Sequence, residues 1–104
     1  MHNFTVDGSA VQYEYNAEKS ALLERERGIN FDAVIRLIEA GNILNVYDHP
    51  NQEKYPHQQI YELDIAGYVY LVPFIRQENS VFLKTIFPSR TATKHYKARL
   101  QKDS

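Results

Sequence analysis

The pattern of apolar and polar residues predicts a strand followed by two helices in the first part of the chain. Apolar residues at every second position over 11–15 predict a strand with one apolar face. Asn16 can cap the start of a helix that Gly28 ends, because glycine readily adopts the left-handed stop. Asn30 begins a second helix with one apolar stripe, and Gly41 ends it. The two helices therefore form an αα-hairpin.

The second half of the chain predicts a sheet. Four segments with strand-like patterns follow the helices, at residues 43–46, 59–65, 68–75 and 81–87. A loop rich in turn-forming residues, 47–58, separates the first segment from the other three. Pro73 has no N–H group to donate to a neighbouring strand, so we expect a bulge or an unpaired position there. Pro88 and Ser89 end the last strand, and a C-terminal helix begins at Arg90.

These elements predict an α+β fold, with two N-terminal helices packed on a curved antiparallel sheet and a short C-terminal helix at one end. A chain of 104 residues is large enough for one hydrophobic core and too small for two. Residues 1–10 show no clear period and are interpreted as a flexible arm before a single domain that spans residues 11–104. The chain has no cysteine, no secretory signal pattern and no membrane span, so we expect a cytoplasmic protein without a membrane partner.

The charges are divided along the chain, although the formal net charge is only -1. Residues 1–64 contain eleven acidic and five basic residues. From Lys84 to Lys102 there are six basic residues and no acidic one. A concentrated cationic end attracts a polyanion locally, because the potential of exposed charges is screened within about 10 Å. The charge pattern therefore indicates nucleic acid as a partner of the C-terminal part.

Lys84 and Arg90 are the first candidates for contact with a phosphate. Lys84 shares a strand face with Phe82 and Ile86, and two interpretations are open. Its side chain either reaches water from a sheet edge or projects into a concave sheet surface, where a phosphate supplies the counter-charge. Arg90 stands one residue inside a helix start, beside backbone N–H groups that favour an anion.

Lys94 and Lys97 extend the cationic helix face that Arg90 begins, at positions i+4 and i+7. Apolar residues lie on the opposite face, namely Ala92, Tyr96 and Leu100. Such a stripe is either a solvated face or a nucleic-acid contact, and the lack of nearby acidic residues favours the contact. Lys54 and Arg76 complete the expected RNA-binding set.

Candidates for acid-base chemistry are fewer. His57 and Tyr55 lie in the loop that leads into the sheet, where an imidazole and a phenol can transfer protons, although a lone loop histidine is often an exposed bystander. The four histidines show no metal-ligand spacing and the chain has no glycine-rich phosphate loop, so we expect neither a metal nor a cofactor. Metal-free RNA cleavage needs orientation, charge neutralisation at the phosphate and modest proton transfer, which these residues can supply.

Two segments resemble BrnT-type toxins of type II toxin-antitoxin systems. The segment YEYNAEKSALLERERGINFDAVIRLIE is similar to the family's opening strand, its asparagine-x-glutamate-lysine helix start and its glycine-to-phenylalanine junction. The segments GYVYLVPFI and FLKTIFPSRTATKHY are similar to its closing hairpin and to the helix start that contains serine, arginine, alanine and threonine. The resemblance extends from about Val11 to about Leu100.

This resemblance implies a RelE-like fold and an endoribonuclease toxin that inhibits translation and growth without a cofactor. RNA, free or held on the ribosome, would be the substrate. A cognate antitoxin, typically a ribbon-helix-helix DNA-binding protein, would bind the toxin, and the complex would contact operator DNA only through the antitoxin. The family's basic positions in the last strand and at the helix start fall on Lys84 and Arg90, with Lys94 next along. The segment 48–59 departs from the family's pattern. The resemblance therefore gives no support to Tyr55 and His57, which are candidates only because of their side-chain chemistry.

Other hypotheses remain open. The chain could instead be a non-catalytic module that binds nucleic acid or an antitoxin and acts in operon autoregulation, because no clear general base is present. It could also be an interaction domain whose basic helix docks an acidic partner. A neighbouring reading frame with a ribbon-helix-helix pattern would favour the toxin over a solitary binding protein.

Overall fold

The computed structural model describes residues 3–6 and 9–98, with side chains described for residues 11–98. Three helices and seven strands are present within these residues. In chain order they are β1 (Asn3–Val6), β2 (Ser9–Glu14), α1 (Ala17–Arg27), α2 (Phe31–Glu39), β3 (Ile43–Asp48), β4 (Gln58–Ile65), β5 (Tyr68–Arg76), β6 (Ser80–Leu83), β7 (Phe87–Pro88) and α3 (Arg90–His95). The predicted α+β class is confirmed. None of the described helices is long and apolar enough to cross a membrane.

The two N-terminal helices begin and end through the caps that their sequence predicts. Asn16 Oδ1 accepts from the backbone N–H of Lys19 at 2.9 Å, and Gly28 ends α1 in the left-handed conformation with φ 73°. An asparagine caps α2 in the same way. The buried hydroxyl of Ser20 accepts from the backbone N–H of Phe31 at 3.1 Å and so joins the two helices.

The sheet is mixed, and the prediction of an antiparallel sheet was wrong in this respect. Six strands lie in the order β1-β2-β6-β5-β4-β3, and the short β7 pairs with β5. All neighbours are antiparallel except β2 and β6, which are parallel. The parallel pair arises because the αα-hairpin and the β3–β5 meander form a long crossover between β2 and β6. Within segment 1–10, residues 3–6 form β1 and residues 9–10 begin β2.

The core lies between one face of the sheet and the helices α1 and α2. We call this side of the sheet the helix face. The sheet contributes the buried Leu63, Val72 and Phe74 to the core, and α2 contributes Phe31 and Ile35. The opposite, second face carries the side chains that alternate with these along the strands, including Glu62 and Pro73. The helix α3 packs on the second face, where the Tyr96 hydroxyl donates to Glu62 Oε1 at 2.8 Å.

Pro73 coincides with a bulge in the strand beside it. The strand β5 pairs with β6 as far as Leu83 and with β7 from Phe87 onward. The three residues between, Lys84–Ile86, face only Val72 and Pro73. Pro73 lacks an N–H group for the ladder, whereas its carbonyl accepts from the backbone N–H of Lys84 at 2.8 Å. The expected bulge is confirmed, and the strand predicted over 81–87 is split in two.

Candidate functional site

A cavity on the second face brings together residues that are distant in the sequence. Its volume is about 300 Å³. The main lining residues are His49, Tyr55, Gln58, Pro73, Lys84 and Phe87. Lys84 and Tyr55 are candidates from the sequence, whereas His49 is not. No carboxylate lies among the described residues that line this Lys84 cavity, and Lys84 is the one lysine or arginine among them.

Lys84 owes its position to the bulge opposite Pro73. It has no register partner on β5, although its backbone N–H donates to the Pro73 carbonyl, and its side chain is exposed. The ammonium nitrogen lies 5.6 Å from the centroid of the Phe82 ring, which is within cation–π range. Both interpretations from the sequence therefore hold in part, because Lys84 reaches solvent and also borders a concave surface.

The loop between β3 and β4 is held by hydrogen bonds within it. Gln52 Nε2 donates to the carbonyls of His49 at 2.8 Å and Gln58 at 3.0 Å, and Gln52 Oε1 accepts from the backbone N–H of His57 at 3.1 Å. The backbone N–H of His49 donates to the carbonyl of Gln58 at 2.9 Å, which closes the base of the loop. These bonds join the two ends of the loop, where His49 and Gln58 line the cavity.

His49 and Tyr55 form a pair of aromatic rings at the cavity wall. Their ring centroids are 4.4 Å apart and their planes are tilted by 36°. His49 Nδ1 accepts from the backbone N–H of Asn51 at 3.0 Å, so neutral His49 carries its proton on Nε2 and can donate from there. The Lys54 ammonium lies 5.4 Å from the Tyr55 ring centroid and adds a cation beside this pair.

His57 lies outside the Lys84 cavity. It is exposed, has a positive φ of 64° and follows the turn that returns the loop to β4. Sequence reasoning alone selects His57, whereas the structure brings His49 to the cavity. The signal for His49 is its place directly after β3, because the two ends of a hairpin loop must meet at the sheet.

Arg90 begins α3 as predicted, after the N-cap Ser89, and its side chain is exposed. It does not line the Lys84 cavity. The backbone N–H of Ser89 bonds to Val69, and that of Lys84 bonds to Pro73, four residues further along β5. The backbone of Lys84 and that of Ser89, the residue before Arg90, therefore lie about 14 Å apart along β5. Lys84 and Arg90 are therefore better placed for different phosphates of one strand than for the same phosphate.

The basic residues of α3 and of the segment after it face solvent. Because α3 ends at His95, Arg90 and Lys94 lie on the helix, and Lys97 follows its C-cap Tyr96. Lys94 and Lys97 are exposed, whereas Ala92 and Tyr96 on the other side are half-buried, as their spacing predicts. Three further residues of this basic segment, Arg99, Leu100 and Lys102, lie outside the described residues.

Arg76 is on the helix face and thus on the other side of the sheet from the Lys84 cavity. It pairs in register with the buried Val81, and its guanidinium carbon lies 5.7 Å from the Phe74 ring centroid. Burial raises the pKa of Tyr61, and the charge and hydrogen bonding of Arg76 oppose this rise. Arg76 therefore interacts with Tyr61 on the helix face, which the sequence does not predict.

A buried carboxylate anchors α3 to the sheet. Glu62 is only 8% exposed and accepts from the Tyr96 hydroxyl at 2.8 Å. Burial, and then the charge and hydrogen bonding of Glu62, raise the pKa of Tyr47 to about 12. Two phenols thus share one buried acceptor, which keeps the cationic side of α3 turned outward.

No protein-family model matches the chain, and comparison with curated proteins and with solved structures finds no significant match. Among residues 11–98, no three histidine, aspartate or glutamate side chains are grouped so that they could hold a metal ion.

Proposed function

We propose that this chain is the toxin of a type II toxin-antitoxin system, a metal-independent endoribonuclease that cleaves RNA and so inhibits translation. The observation that carries the proposal is the Lys84 cavity, in which one cation, one histidine and one tyrosine meet without a carboxylate. The resemblance of the chain to BrnT-type toxins, and hence to a RelE-like fold, agrees with this chemistry.

The Lys84 cavity suits a nucleotide of a single strand. The ammonium group of Lys84 supplies the counter-charge for the scissile phosphate. The ring pair of His49 and Tyr55 offers an aromatic surface on which an unpaired base can stack, and Pro73 and Phe87 supply apolar walls. The lack of an acidic group in the lining means that no fixed negative charge repels the phosphate. The cavity can therefore hold the base and the phosphate at the same time.

Cleavage then follows from positioning. The ribose 2'-oxygen attacks phosphorus, the bond from phosphorus to the 5'-oxygen breaks, and the products are a 2',3'-cyclic phosphate and a 5'-hydroxyl. The 2'-hydroxyl proton passes to water, and the Tyr55 hydroxyl donates a proton to the leaving oxygen. The Nε2–H of neutral His49 donates a hydrogen bond to a phosphate oxygen and keeps its proton. Lys84 neutralises the charge that develops on the phosphate. This electrostatic stabilisation is expected to contribute more to the rate than the proton transfer does.

The exposed cations of α3 and the exposed Lys97 just after it extend the binding surface. Arg90, Lys94 and Lys97 would contact phosphates beyond the scissile one and add affinity that falls with salt. A cognate antitoxin with a ribbon-helix-helix DNA-binding domain would cover this surface with an acidic segment, because such a segment neutralises the same charges. Operator DNA would be contacted through the antitoxin.

A non-catalytic RNA-binding or antitoxin-binding module is the second candidate. It is favoured by one observation, the position of Arg90 outside the cavity, which leaves Lys84 as the only cation among the described lining residues. Such a module would bind RNA with a similar dependence on salt and would leave the strand intact.

Induction in a bacterial host separates the two candidates. The wild-type chain is expected to stop growth and lower translation, and RNA from those cells should carry new 5'-hydroxyl ends. Lys84→Met, which keeps an unbranched side chain one atom shorter and without the charge, should remove both effects. Lys97→Met is the matched control because it removes an exposed charge outside the cavity. Normal growth at high wild-type expression, or arrest by Lys84→Met equal to that by wild type, would contradict the proposal.

A further inference from the structure

A second hollow lies on the other side of Lys84, between α1 and β6. Its volume is about 610 Å³. We call it the α1 groove; its lining includes Glu18, Lys19, Leu22, Arg25, Phe82 and Lys84. Lys84 thus lines both this groove and the Lys84 cavity. The two hollows are neighbours that share one cation.

The α1 groove alternates cationic and apolar side chains along one side of a helix. Lys19, Leu22 and Arg25 recur at every third residue, which keeps them on one side of α1 over about 9 Å of its axis. Leu22 is 37% exposed, one of the few large apolar side chains of the described residues that face solvent. Phe82 is half-buried at the base of the groove.

The charge of the groove differs from that of the rest of α1. Three cations and one carboxylate, Glu18, are among its lining residues. The other acidic residues of α1, Glu24 and Glu26, do not line it. The groove therefore attracts a polyanion even though most of its lining residues come from the acidic half of the sequence.

We propose that the α1 groove binds the part of a single RNA strand that flanks the nucleotide held in the Lys84 cavity. This inference rests on the proposed function, because it takes the strand to be engaged at Lys84. Lys19 and Arg25 contact successive flanking phosphates, and Phe82 with Leu22 receives an unpaired base. Continuity through Lys84 favours RNA over an acidic peptide, since one strand with a regular phosphate spacing fills both hollows.

The test measures binding by fluorescence anisotropy to 2'-O-methyl oligoribonucleotides of two and eight nucleotides, which cannot be cleaved. Arg25→Gln should weaken binding of the eight-nucleotide strand and leave that of the dinucleotide unchanged. The slope of log affinity against log salt should fall by about 0.7 for one lost phosphate contact on a single strand. Arg27→Gln is the matched control, because it removes the same charge from the same helix but does not line the groove. Lys19→Gln should repeat the effect of Arg25→Gln.

Other results would overturn the inference. Equal effects of Arg25→Gln and Arg27→Gln would mean that the groove makes no specific contact with the strand. Binding of an oligoglutamate peptide that depends on Arg25, without binding of the eight-nucleotide strand, would assign the groove to an acidic protein segment. Cleavage by the wild type is measured separately on unmodified RNA. If binding of the longer strand depends on Arg25 but no cleavage occurs, the inference stands and the catalytic proposal fails.

Discussion

Replacement of Lys84 by methionine should separate catalysis from folding. The side chain is exposed and its ammonium group lies 5.6 Å from the Phe82 ring centroid, so the lost cation–π contact costs about 0.5–1 kcal/mol of stability. A cation that contacts the scissile phosphate stabilises the transition state more than the bound ground state, because negative charge develops on the phosphate as it reacts. Its loss should lower the cleavage rate by about 100-fold, which corresponds to about 2.7 kcal/mol.

The assay is single-turnover cleavage of a labelled RNA by Lys84→Met and by the control Lys97→Met, with urea unfolding measured on the same samples. Saturating protein keeps the comparison on the chemical step and away from binding. We expect a large loss of rate for Lys84→Met with a nearly unchanged unfolding midpoint, and a small loss for Lys97→Met. Equal and mild losses in the two variants would refute the assignment of Lys84 to the reacting phosphate, as would a Lys84→Met variant that fails to fold.

Three further predictions concern the loop and two half-buried tyrosines. Gln52→Glu should slow cleavage without much change in global stability, because a carboxylate cannot donate to the carbonyls of His49 and Gln58; an unchanged rate would show that the loop bonds do not position the site. Tyr96→Phe should lower the free energy of unfolding in urea by about 1–3 kcal/mol, since Glu62 loses a donor while it stays buried; no loss would mean that α3 is held otherwise. The pKa of Tyr47 is raised from 10.0 to about 12, so this phenol contributes stability that is complete below pH 10 and is lost as the pH rises toward 12. Tyr47→Phe should therefore flatten the fall of unfolding free energy over that range, and an unchanged slope would contradict the assignment.

Local signals in the sequence predict the helices and the bulge well. Asn16 and Gly28 fix the ends of α1 because cap chemistry depends only on neighbouring residues. Pro73 predicts an irregular position for the same reason, since the missing N–H is a property of one residue. The parallel pairing of β2 with β6 is not local. It depends on how the whole crossover packs, and an alternating pattern is the same in either strand direction.

The candidate site is predicted only in part, because a cavity joins residues that no spacing rule connects. Lys84 and Tyr55 stand out by residue type, whereas His49 becomes a candidate only when the hairpin geometry places it beside them. The linear charge count identifies the basic C-terminal part but hides Lys19 and Arg25, because it also counts Glu24 and Glu26, which do not line the groove. Charge along the chain and charge on the surface are different quantities.

Cleavage of one RNA in the presence of a chelator tests the central claim most directly. The purified chain is incubated in EDTA with a labelled RNA and with the same RNA carrying a single 2'-deoxy nucleotide at the cleavage position. We expect cleavage of the all-ribose strand to a 2',3'-cyclic phosphate end, no cleavage at the deoxy position, and about 100-fold slower cleavage by Lys84→Met. Intact RNA after incubation with folded wild-type protein, or cleavage that ignores the missing 2'-hydroxyl, would contradict the account.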